Sequence, residues 1–262
     1  MQFTVATWNI NSIRLRENLV CKFLDQYKPE ILCLQEIKSP TELVDTKAYR
    51  SLGYNYILIH GQKAYNGVTI LSKIPMVEVA RRNFINKEEA RHISARLENG
   101  ITIENCYVPA GGDIPDPEEN PKFKDKLDFI AGMKQWSINH PPKKTILVGD
   151  LNIAPLENDV WSHKQLLKVV SHTPVEVEGM TSLMKAGRWI DTVRTNIPEG
   201  KLYSWWSYRA RNWDTSDRGR RLDHIWASSD LVNNIGESVI LREIRGWERP
   251  SDHVPVMTKF SL

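Results

Sequence analysis

The sequence predicts an α/β protein built from two mixed β-sheets that pack together, with helices on the outside. Continuous apolar runs such as 31–34 and 145–148 are typical of strands that are covered on both faces. The alternating run 92–97 is followed by Asn99-Gly100, a pair that favours a hairpin and hence antiparallel strands. Helical segments separate other strands. Strands joined by both kinds of connection indicate mixed sheets, not purely parallel ones.

Short apolar runs are predicted to be strands, and two amphipathic segments are predicted to be helices. In the first helix, apolar residues recur at helical spacing from 19 to 27, and the helix should end before Pro29. The second contains Phe123, with Asn120 as its N-cap and Pro121 at its first position. The predicted strands cover residues 3–8, 31–35, 55–59, 67–72, 92–98, 101–107, 145–149, 223–227 and 253–260.

Composition predicts one domain, from residue 1 to residue 262, in a cytoplasmic protein. Of the 262 residues, 41% are hydrophobic, which is enough to bury a sizeable core, and no linker or repeat divides them. Asn9 and Asn11 come too early for a secretory signal, and no apolar run approaches the roughly 20 residues of a membrane helix. Three cysteines without metal-type spacing indicate reduced thiols. The net charge of +3 is too small to identify a polyanion-binding protein.

Polar side chains lie where the predicted strands end or begin. The carboxyl ends of several strands meet at one edge of a sheet, and antiparallel strands begin at that same edge, so these side chains are predicted to form one rim. Any single one of them could be only a turn residue. That alternative is poor for the whole set, because Glu36 and Tyr107 are not turn residues. The predicted rim contains Asn9, Asn11, Glu36, Tyr107, Asp150, Asn152, Asp223, Asp252 and His253.

The residue types of the rim suit metal-assisted hydrolysis of a phosphoester. Hard oxygen ligands without cysteine favour Mg²⁺ or Mn²⁺ over Zn²⁺, and Glu36 would suffice as the anchor. A second carboxylate such as Asp150 could orient or deprotonate water, and a His-Asp pair could hold a phosphate oxygen. The sequence has neither the G-x-S-x-G elbow of serine hydrolases nor the G-x-x-x-x-G-K-S/T phosphate loop. Phosphoester hydrolysis is therefore the favoured chemistry.

Nine different short motifs are spread along the whole chain. They are TWNINSIR at 7–14, LQEIK at 34–38, YNGVTILS at 65–72, NCYVPAGG at 105–112, KLDF at 126–129, GDLNIAP at 149–155, WWSYR at 205–209, RRLDHIW at 220–226 and PSDHVPV at 250–256. Each motif alone is weak, but all of them in this order are specific. By these motifs the chain resembles the exonuclease III family of abasic-site endonucleases, within the endonuclease/exonuclease/phosphatase superfamily. The resemblance implies a four-layer α/β sandwich of two mixed sheets flanked by helices. Residues 156–170 depart from the best-known members.

The resemblance also implies roles for the metal-binding and water-activating residues. Glu36 looks like the principal metal ligand, with Asn11 and Asp252 nearby as second or water-mediated ligands. Asp150 looks like the residue that orients or activates the attacking water. The implied cofactor is Mg²⁺, with Mn²⁺ as a substitute.

The other rim residues resemble groups that bind the phosphate or support the groups that do. Asn152 and Asn9 resemble the carboxamides that support the water-activating residue and contact the phosphate. Tyr107 resembles the phenol that bonds a phosphate oxygen or assists the leaving group. His253 resembles the histidine at the scissile phosphate, as phosphate ligand or as base, and Asp223 resembles the aspartate that fixes its tautomer.

Aromatic and basic residues in the second half of the chain are implied to contact DNA. Trp205 falls where the family places a wall of the pocket for a flipped, base-less sugar, with Leu222 as its apolar neighbour. For one of the pair Trp205-Trp206, core packing is the alternative. Further residues would contact DNA, or would lie only in a solvated loop or a turn: Arg209, Arg220, Arg221, Lys63 and Asn66.

The function implied by the resemblance is that of a monomeric DNA-repair nuclease acting on double-stranded DNA with abasic sites or 3′ ends. It would incise 5′ of abasic sites, remove 3′ phosphates and blocked 3′ ends, and degrade duplex DNA from the 3′ end. The sequence does not rank these activities. One alternative keeps the chemistry but uses an inositol phosphate or a phospholipid headgroup. The other, a binding module without catalysis, conflicts with the complete set of rim residues.

Overall fold

The computed structural model describes residues 2–262, which form strands and helices in alternation along the chain. The strands are β1 (Gln2–Asn9), β2 (Ile31–Gln35), β3 (Tyr56–His60), β4 (Val68–Ser72), β5 (Met76–Ala80), β6 (His92–Leu97), β7 (Thr102–Tyr107), β8 (Thr145–Asp150), β9 (Trp189–Asp191), β10 (Asp223–Ser228), β11 (Ile235–Ile240) and β12 (Val256–Ser261). The helices are α1 (Ile13–Tyr27), α2 (Lys47–Ser51), α3 (Pro121–Asn139), α4 (His163–Leu166), α5 (Pro174–Gly187), α6 (Thr192–Asn196) and α7 (Trp213–Ser216). Short 3-10 helices cover Thr41–Leu43, Glu157–Asp159, Ser229–Asn234 and Arg242–Gly246.

The strands form two mixed sheets of six strands each. Their orders are β11-β12-β1-β2-β4-β3 and β5-β6-β7-β8-β10-β9. In the first sheet, β1 is parallel to β2 and antiparallel to β12. In the second, β8 is parallel to β7 and antiparallel to β10. The predicted mixture of parallel and antiparallel pairing is thus confirmed.

Three apolar cores separate the layers of the fold. The inner core lies between the two sheets and includes Val5 of β1 and Val148 of β8. A second core, with Trp8 and Phe23, lies between the first sheet and α1. A third contains Leu147 together with side chains of α3 and α5. Because side chains alternate between the two faces of a strand, each inner strand contributes to two cores, and the result is the expected four-layer sandwich.

All nine predicted strands are present, and three further strands were missed. The missed strands, β5, β9 and β11, each lie at the edge of a sheet. Their side chains are largely exposed or only half-buried, as in β5, where the three central residues are exposed. An edge strand has a neighbour on only one side, so its sequence need not be continuously apolar. The hydrophobic pattern that identified the inner strands is therefore absent.

The predicted turn and helix signals are also found in the structure. Strands β6 and β7 form the predicted hairpin, which Gly100 closes with a φ of 85°. Helix α1 ends at Tyr27, where Lys28 adopts the left-handed conformation. Helix α3 begins at Pro121, and the Asn120 side chain caps it by accepting a hydrogen bond from the Lys122 backbone N–H. Within residues 2–262, no helix is long and apolar enough to cross a membrane.

Candidate active site

The strand ends predicted to form a rim do lie together, at the edge where the two sheets face each other. Asn9 ends β1 and Asp150 ends β8, and Asn9 Nδ2 donates a hydrogen bond of 2.9 Å to Asp150 Oδ2. The Tyr107 hydroxyl, at the end of β7, donates to Glu36 Oε1 at 2.7 Å, just beyond β2. Asp223 opens β10 directly opposite Asp150. These contacts bring side chains from both sheets into one polar cluster.

Several rim residues have an unusual backbone conformation. Asn11, Glu36 and Asn152 have positive φ angles of 48°, 51° and 53°. This left-handed region is uncommon for residues other than glycine. Neighbouring groups hold these conformations in place: the Ser12 backbone N–H donates to the Glu36 carbonyl at 2.7 Å, and the Asn152 N–H donates to the Asp150 carboxylate at 2.9 Å. The chain therefore leaves each of these three strands through a turn of defined conformation, which fixes the positions of the rim side chains.

Asp150 is a buried rim carboxylate that two carboxamides hold. Its Oδ2 accepts hydrogen bonds from the carboxamides of Asn9, at 2.9 Å, and Asn152, at 3.2 Å. Burial raises the pKa of Asp150, and the negative charges of Asp223 and Glu36 act in the same direction. A carboxylate with a raised pKa is a stronger base than an exposed one, so this group is suited to accept a proton.

His253 forms a hydrogen-bonded pair with Asp223. The distance from His253 Nδ1 to Asp223 Oδ2 is 2.8 Å, and the Ser204 hydroxyl donates to the same carboxylate oxygen at 2.6 Å. The second ring nitrogen, Nε2, lies 3.7 Å from Asp150 Oδ2. Burial lowers the pKa of His253, but the charges of Asp223 and Asp150 outweigh this effect and raise it. These charges favour the protonated imidazole, in which Nδ1 donates to Asp223 and Nε2 is directed towards the rim.

Glu36 lies at the opposite side of the cluster, among hydrogen-bond donors. Its Oε1 accepts from Asn9 and Tyr107, while its Oε2 lies 2.7 Å from Lys38 Nζ. The same ammonium group donates to Asn11 Oδ1 at 2.6 Å. Burial acts to raise the pKa of Glu36, but Lys38, Asn9 and Tyr107 together lower it. Glu36 is thus held as a carboxylate.

Two sets of rim side chains could hold a metal ion. The ligand atoms of Asp150, Asp223 and His253 lie within 4.8 Å of one another. The other set consists of Glu36, Asn11 and Asp252, which offer oxygen atoms as ligands. Asn11 Nδ2 donates to Asp252 Oδ1 at 3.2 Å, and the Lys38 ammonium contacts both Asn11 Oδ1 and Glu36 Oε2. In the second set a cation, the Lys38 ammonium, already lies between the Glu36 and Asn11 oxygens. The second set therefore fits a hard divalent cation by both charge and donor type.

Trp205 lies beside the rim and is half-buried. Its indole N–H donates to Asp252 Oδ2 at 3.0 Å, and the Arg220 guanidinium lies 5.1 Å from its ring centre. The ring packs against an apolar cluster that contains Leu222. Trp206, in contrast, is buried in the core beneath α1. Of the two neighbouring tryptophans, Trp206 is a core residue and Trp205 borders the rim. This agrees with core packing as the alternative for one of the pair.

The predicted DNA contact of Arg221 is wrong. Its side chain is fully buried, because its guanidinium forms ion pairs with Asp159 and Asp191, each at 2.8 Å. Arg220 is half-buried and donates to the Ser171 hydroxyl at 2.8 Å as well as stacking on Trp205. Arg221 therefore belongs to the interior of the protein and cannot reach a phosphate, while Arg220 packs against Trp205.

The remaining residues that were predicted to contact DNA differ in how far their side chains are exposed. Arg209 and Lys63 are exposed. Asn66 is largely buried, its φ is 51°, and its side-chain amide donates to Gln62 Oε1 at 3.0 Å. For Asn66 the structure favours the alternative of a turn residue, whereas contact of Arg209 and Lys63 with DNA stays a prediction.

Three residues that support the rim were not identified from the sequence. Lys38 bridges Glu36 to Asn11, and the Arg91 guanidinium lies 4.8 Å from the Tyr107 ring centre. Lys126 is fully buried in α3 and donates to the Asn152 carbonyl at 2.7 Å. A signal for Lys126 was available: it lies three residues after Phe123, on the apolar face of its helix. A lysine on a core-facing position needs a buried partner.

Comparison with known proteins agrees with this architecture. The Endonuclease/Exonuclease/phosphatase family profile matches residues 6–253. Exodeoxyribonuclease III of Haemophilus influenzae is 32% identical over 268 residues, which covers 97% of this chain and 98% of the relative. A solved AP endonuclease from Archaeoglobus fulgidus superposes with a TM-score of 0.92 at 28% identity, covering 99% of this chain and 100% of that one. A 3′ phosphatase from Neisseria bound to a product DNA hairpin has a TM-score of 0.89 at 29% identity, with coverage of 99% and 100%. The chain belongs to the endonuclease/exonuclease/phosphatase family.

Proposed function

We propose that this protein is a DNA-repair nuclease that hydrolyses phosphodiesters of double-stranded DNA. Its activities would be incision 5′ of abasic sites, removal of 3′ phosphates and other 3′ blocks, and 3′-5′ exonuclease action on duplex DNA. The relatives support this range, since they include an exodeoxyribonuclease III, an AP endonuclease and a 3′ phosphatase. The observation that carries the proposal is the cluster in which Asp150 is held by two carboxamides and faces the His253–Asp223 pair.

The proposed cofactor is Mg²⁺, with Mn²⁺ as a substitute, bound by Glu36 together with Asn11 and Asp252. The fit rests on the oxygen donors of these side chains and on the Lys38 ammonium, which shows that a positive charge is accommodated between Glu36 and Asn11. Lysine would have to give up one of these contacts to a bound ion. When present, the metal ion would neutralise phosphate charge and the charge that develops on the leaving oxygen.

Asp150 is proposed to orient and deprotonate the attacking water. Asn9 and Asn152 fix the carboxylate by hydrogen bonds to Oδ2, so a water molecule bound to it would have a defined direction. Burial raises the pKa of Asp150, which strengthens it as a base. The same two carboxamides are proposed to contact the phosphate, for which each would give up one of its present hydrogen bonds.

His253 and Tyr107 are proposed to stabilise negative charge on the phosphate. The hydrogen bond from His253 to Asp223 fixes the proton on Nδ1 and leaves Nε2–H free to donate to a phosphate oxygen. The Tyr107 hydroxyl donates to Glu36 and would transfer this hydrogen bond to a phosphate oxygen when substrate binds. Burial and the nearby negative charges raise the pKa of Tyr107 far above neutrality, so the phenol remains a donor throughout the working pH range.

Substrate choice is proposed to depend on the half-buried Trp205 and its apolar neighbour Leu222. Together they would form one wall of a small pocket for a base-less sugar, because an abasic nucleotide loses little stacking when it leaves the helix. Exposed Arg209 and Lys63 are proposed to contact the DNA backbone.

We also propose that residues 1–262 act as one catalytic domain, in the cytoplasm. Two observations support this: β1 at the start of the chain pairs with β12 at its end, and Cys33 and Cys106 are free and buried. Because the first and last strands pair with each other, the fold is difficult to divide into independent units.

The test compares cleavage of three end-labelled duplexes that carry an internal abasic analogue, a recessed 3′ hydroxyl or a 3′ phosphate. With Mg²⁺ we expect a nick 5′ of the analogue and release of 3′ phosphate, and the three rates give the balance of activities. EDTA should abolish all of them. Failure to cleave any duplex, together with faster release of phosphate from an inositol phosphate, would contradict the proposal.

A further inference from the structure

Residues 155–172 form a segment that lies outside the rim and contains two histidines. It includes α4, which begins at His163, and it ends at His172, just before α5. A cavity of about 490 Å³ opens beside it, lined by Glu157, His163 and His172 and, from α5, by Glu178 and Lys185 among others. None of the residues that line this cavity belongs to the rim.

Hydrogen bonds fix where the protons of the two imidazoles lie. His172 Nδ1 is 2.6 Å from the Ala154 carbonyl oxygen, which can only accept, so this nitrogen carries a proton. In the neutral ring, His172 Nε2 is then an acceptor. It lies 2.8 Å from His163 Nδ1, so His163 Nδ1 must be the donor of this bond. The Nε2 atom of a neutral His163 is consequently left with a free lone pair.

That lone pair faces a carboxylate. His163 Nε2 lies 3.5 Å from Glu157 Oε1, and both side chains are accessible, with exposed fractions of 38% and 76%. Two electron-pair donors at this distance repel each other unless a proton on Nε2 or a metal ion lies between them. The distance is long for a hydrogen bond, but two tetrahedral ligands with metal bonds of about 2.0–2.2 Å lie about 3.4 Å apart.

We propose that His163 Nε2 and Glu157 Oε1 bind a divalent transition-metal ion, of which Zn²⁺ is the simplest example, with water as the other ligands. An imidazole ligand favours Zn²⁺, Co²⁺ or Ni²⁺ over Mg²⁺, so the site differs in selectivity from the oxygen donors of the rim. His172 takes the place of the carboxylate or carbonyl that metal-binding histidines usually have as a partner: it accepts the hydrogen bond of the non-binding nitrogen and thereby orients the ring.

Hydrogen bonds connect this site to the Asn152 turn and, through Arg220, to Trp205. Ala154, which accepts from His172, follows the Asn152 turn by two residues, and its N–H donates to the Ser171 carbonyl at 2.8 Å. The Ser171 hydroxyl accepts from Arg220, which stacks on Trp205. A metal ion at Glu157 and His163 would therefore hold the segment that supports the Trp205 wall, and hydrogen exchange in residues 155–172 should slow when it binds.

The experiment measures Zn²⁺ binding by titration calorimetry and by metal analysis after dialysis. The parent protein for this titration carries Glu36→Gln and His253→Gln, which weaken metal binding by both sets of rim residues. It is compared with the same protein carrying His163→Gln or Glu157→Gln, both surface changes. His140→Gln is the matched control, because His140 is exposed at the end of α3 and has no carboxylate partner of this kind.

We expect one bound Zn²⁺ that either ligand variant weakens by about 10- to 100-fold or more and that His140→Gln leaves unchanged. In the otherwise wild-type protein, His163→Gln should retain Mg²⁺-dependent DNA cleavage, which verifies folding independently. Equal Zn²⁺ affinity and stoichiometry in His163→Gln and its parent would overturn the proposal. So would the absence of Zn²⁺ binding in the parent, which would leave His163 and Glu157 as a simple ion pair.

Discussion

Two buried charged clusters approach within two residues of each other on the chain, at Arg221 and Asp223, yet they are built differently. The reaction cluster consists of Asp150, Asp223 and His253, and the ionic cluster of Asp159, Asp191, Arg194 and Arg221. In the ionic cluster two carboxylates meet two guanidinium groups, with contacts of 2.5–2.8 Å. In the reaction cluster two carboxylates share one imidazole, and Asp223 Oδ1 has no hydrogen-bond partner.

The carboxylates of the two clusters respond to burial in opposite ways. Burial acts to raise the pKa of Asp159, but Arg221 and Arg194 outweigh it and lower the pKa. For Asp150 burial dominates, His253 opposes it only in part, and the pKa rises. The ionic cluster is balanced in charge, although Arg221 Nη1 has no hydrogen-bond partner, and it serves the fold. The reaction cluster has an excess of negative charge, which is compensated only when water, a metal ion or substrate is bound. This imbalance distinguishes a site of chemistry from a structural ion pair.

The comparison predicts that Asp150→Asn has the largest effect, and that the effect is on activity alone. Removing the base should slow DNA cleavage by about 10³-fold or more, within the usual range for general-base catalysis. Thermal unfolding should be unchanged or shifted upwards, because one of two neighbouring negative charges is lost. Single-turnover cleavage and calorimetry measure both. Asp128→Asn, on the exposed face of α3, is the control. Cleavage by Asp150→Asn at more than a tenth of the wild-type rate would contradict the assignment.

The opposite outcome is expected for Asp159→Asn in the ionic cluster. This change leaves Arg221 buried with a single carboxylate, and breaking a buried ion pair costs about 3–5 kcal/mol. Urea denaturation should show this loss in the free energy of unfolding, while the folded fraction continues to cleave DNA. A loss of less than about 1 kcal/mol, typical of an exposed ion pair, would mean that the cluster is not structural.

Lys126 sharpens the comparison, because it is a buried ion-pair residue that also touches the active site. It pairs with fully buried Glu176 at 2.5 Å and donates to the Asn152 carbonyl at 2.7 Å. We expect Lys126→Met to lower kcat by about 10- to 100-fold, with a smaller change in KM, since displacing Asn152 misaligns Asp150. Lys122→Met, an exposed change in the same helix, is the control. A loss of stability without loss of kcat would limit Lys126 to a structural role.

The smallest effect is expected for Arg209, an exposed arginine that belongs to neither cluster. If it contacts one phosphate, Arg209→Ala should reduce the slope of log K for DNA binding against log salt by about 0.9. Fluorescence anisotropy between low and moderate salt measures this slope. Lys259→Ala is the control, because Lys259 pairs opposite Thr4, far along β1 from the rim. An unchanged slope for Arg209→Ala would place this arginine outside the DNA interface.

The sequence predicted the inner strands and the rim residues at their ends, because both follow from local patterns. It did not predict β5, β9 and β11, whose exposed faces lack a continuous apolar run. The error at Arg221 has another cause. Its partners Asp159 and Asp191 are distant in sequence, and no local pattern distinguishes an arginine that has a buried carboxylate from one that does not. Long-range pairing of charges is information that only the folded chain contains.

The left-handed backbone at Asn11, Glu36 and Asn152 has a consequence for how this protein could evolve or be engineered. Glycine adopts this conformation without steric cost, whereas other residues are strained there by about 1 kcal/mol or more. Selection for heat resistance alone would therefore favour glycine most at Glu36, the proposed metal ligand, and less at the two asparagines, which adopt this conformation more readily. A stabilised variant obtained in this way would keep the sandwich and lose its reaction, so a thermostability screen of this protein should retain only clones that still cleave DNA.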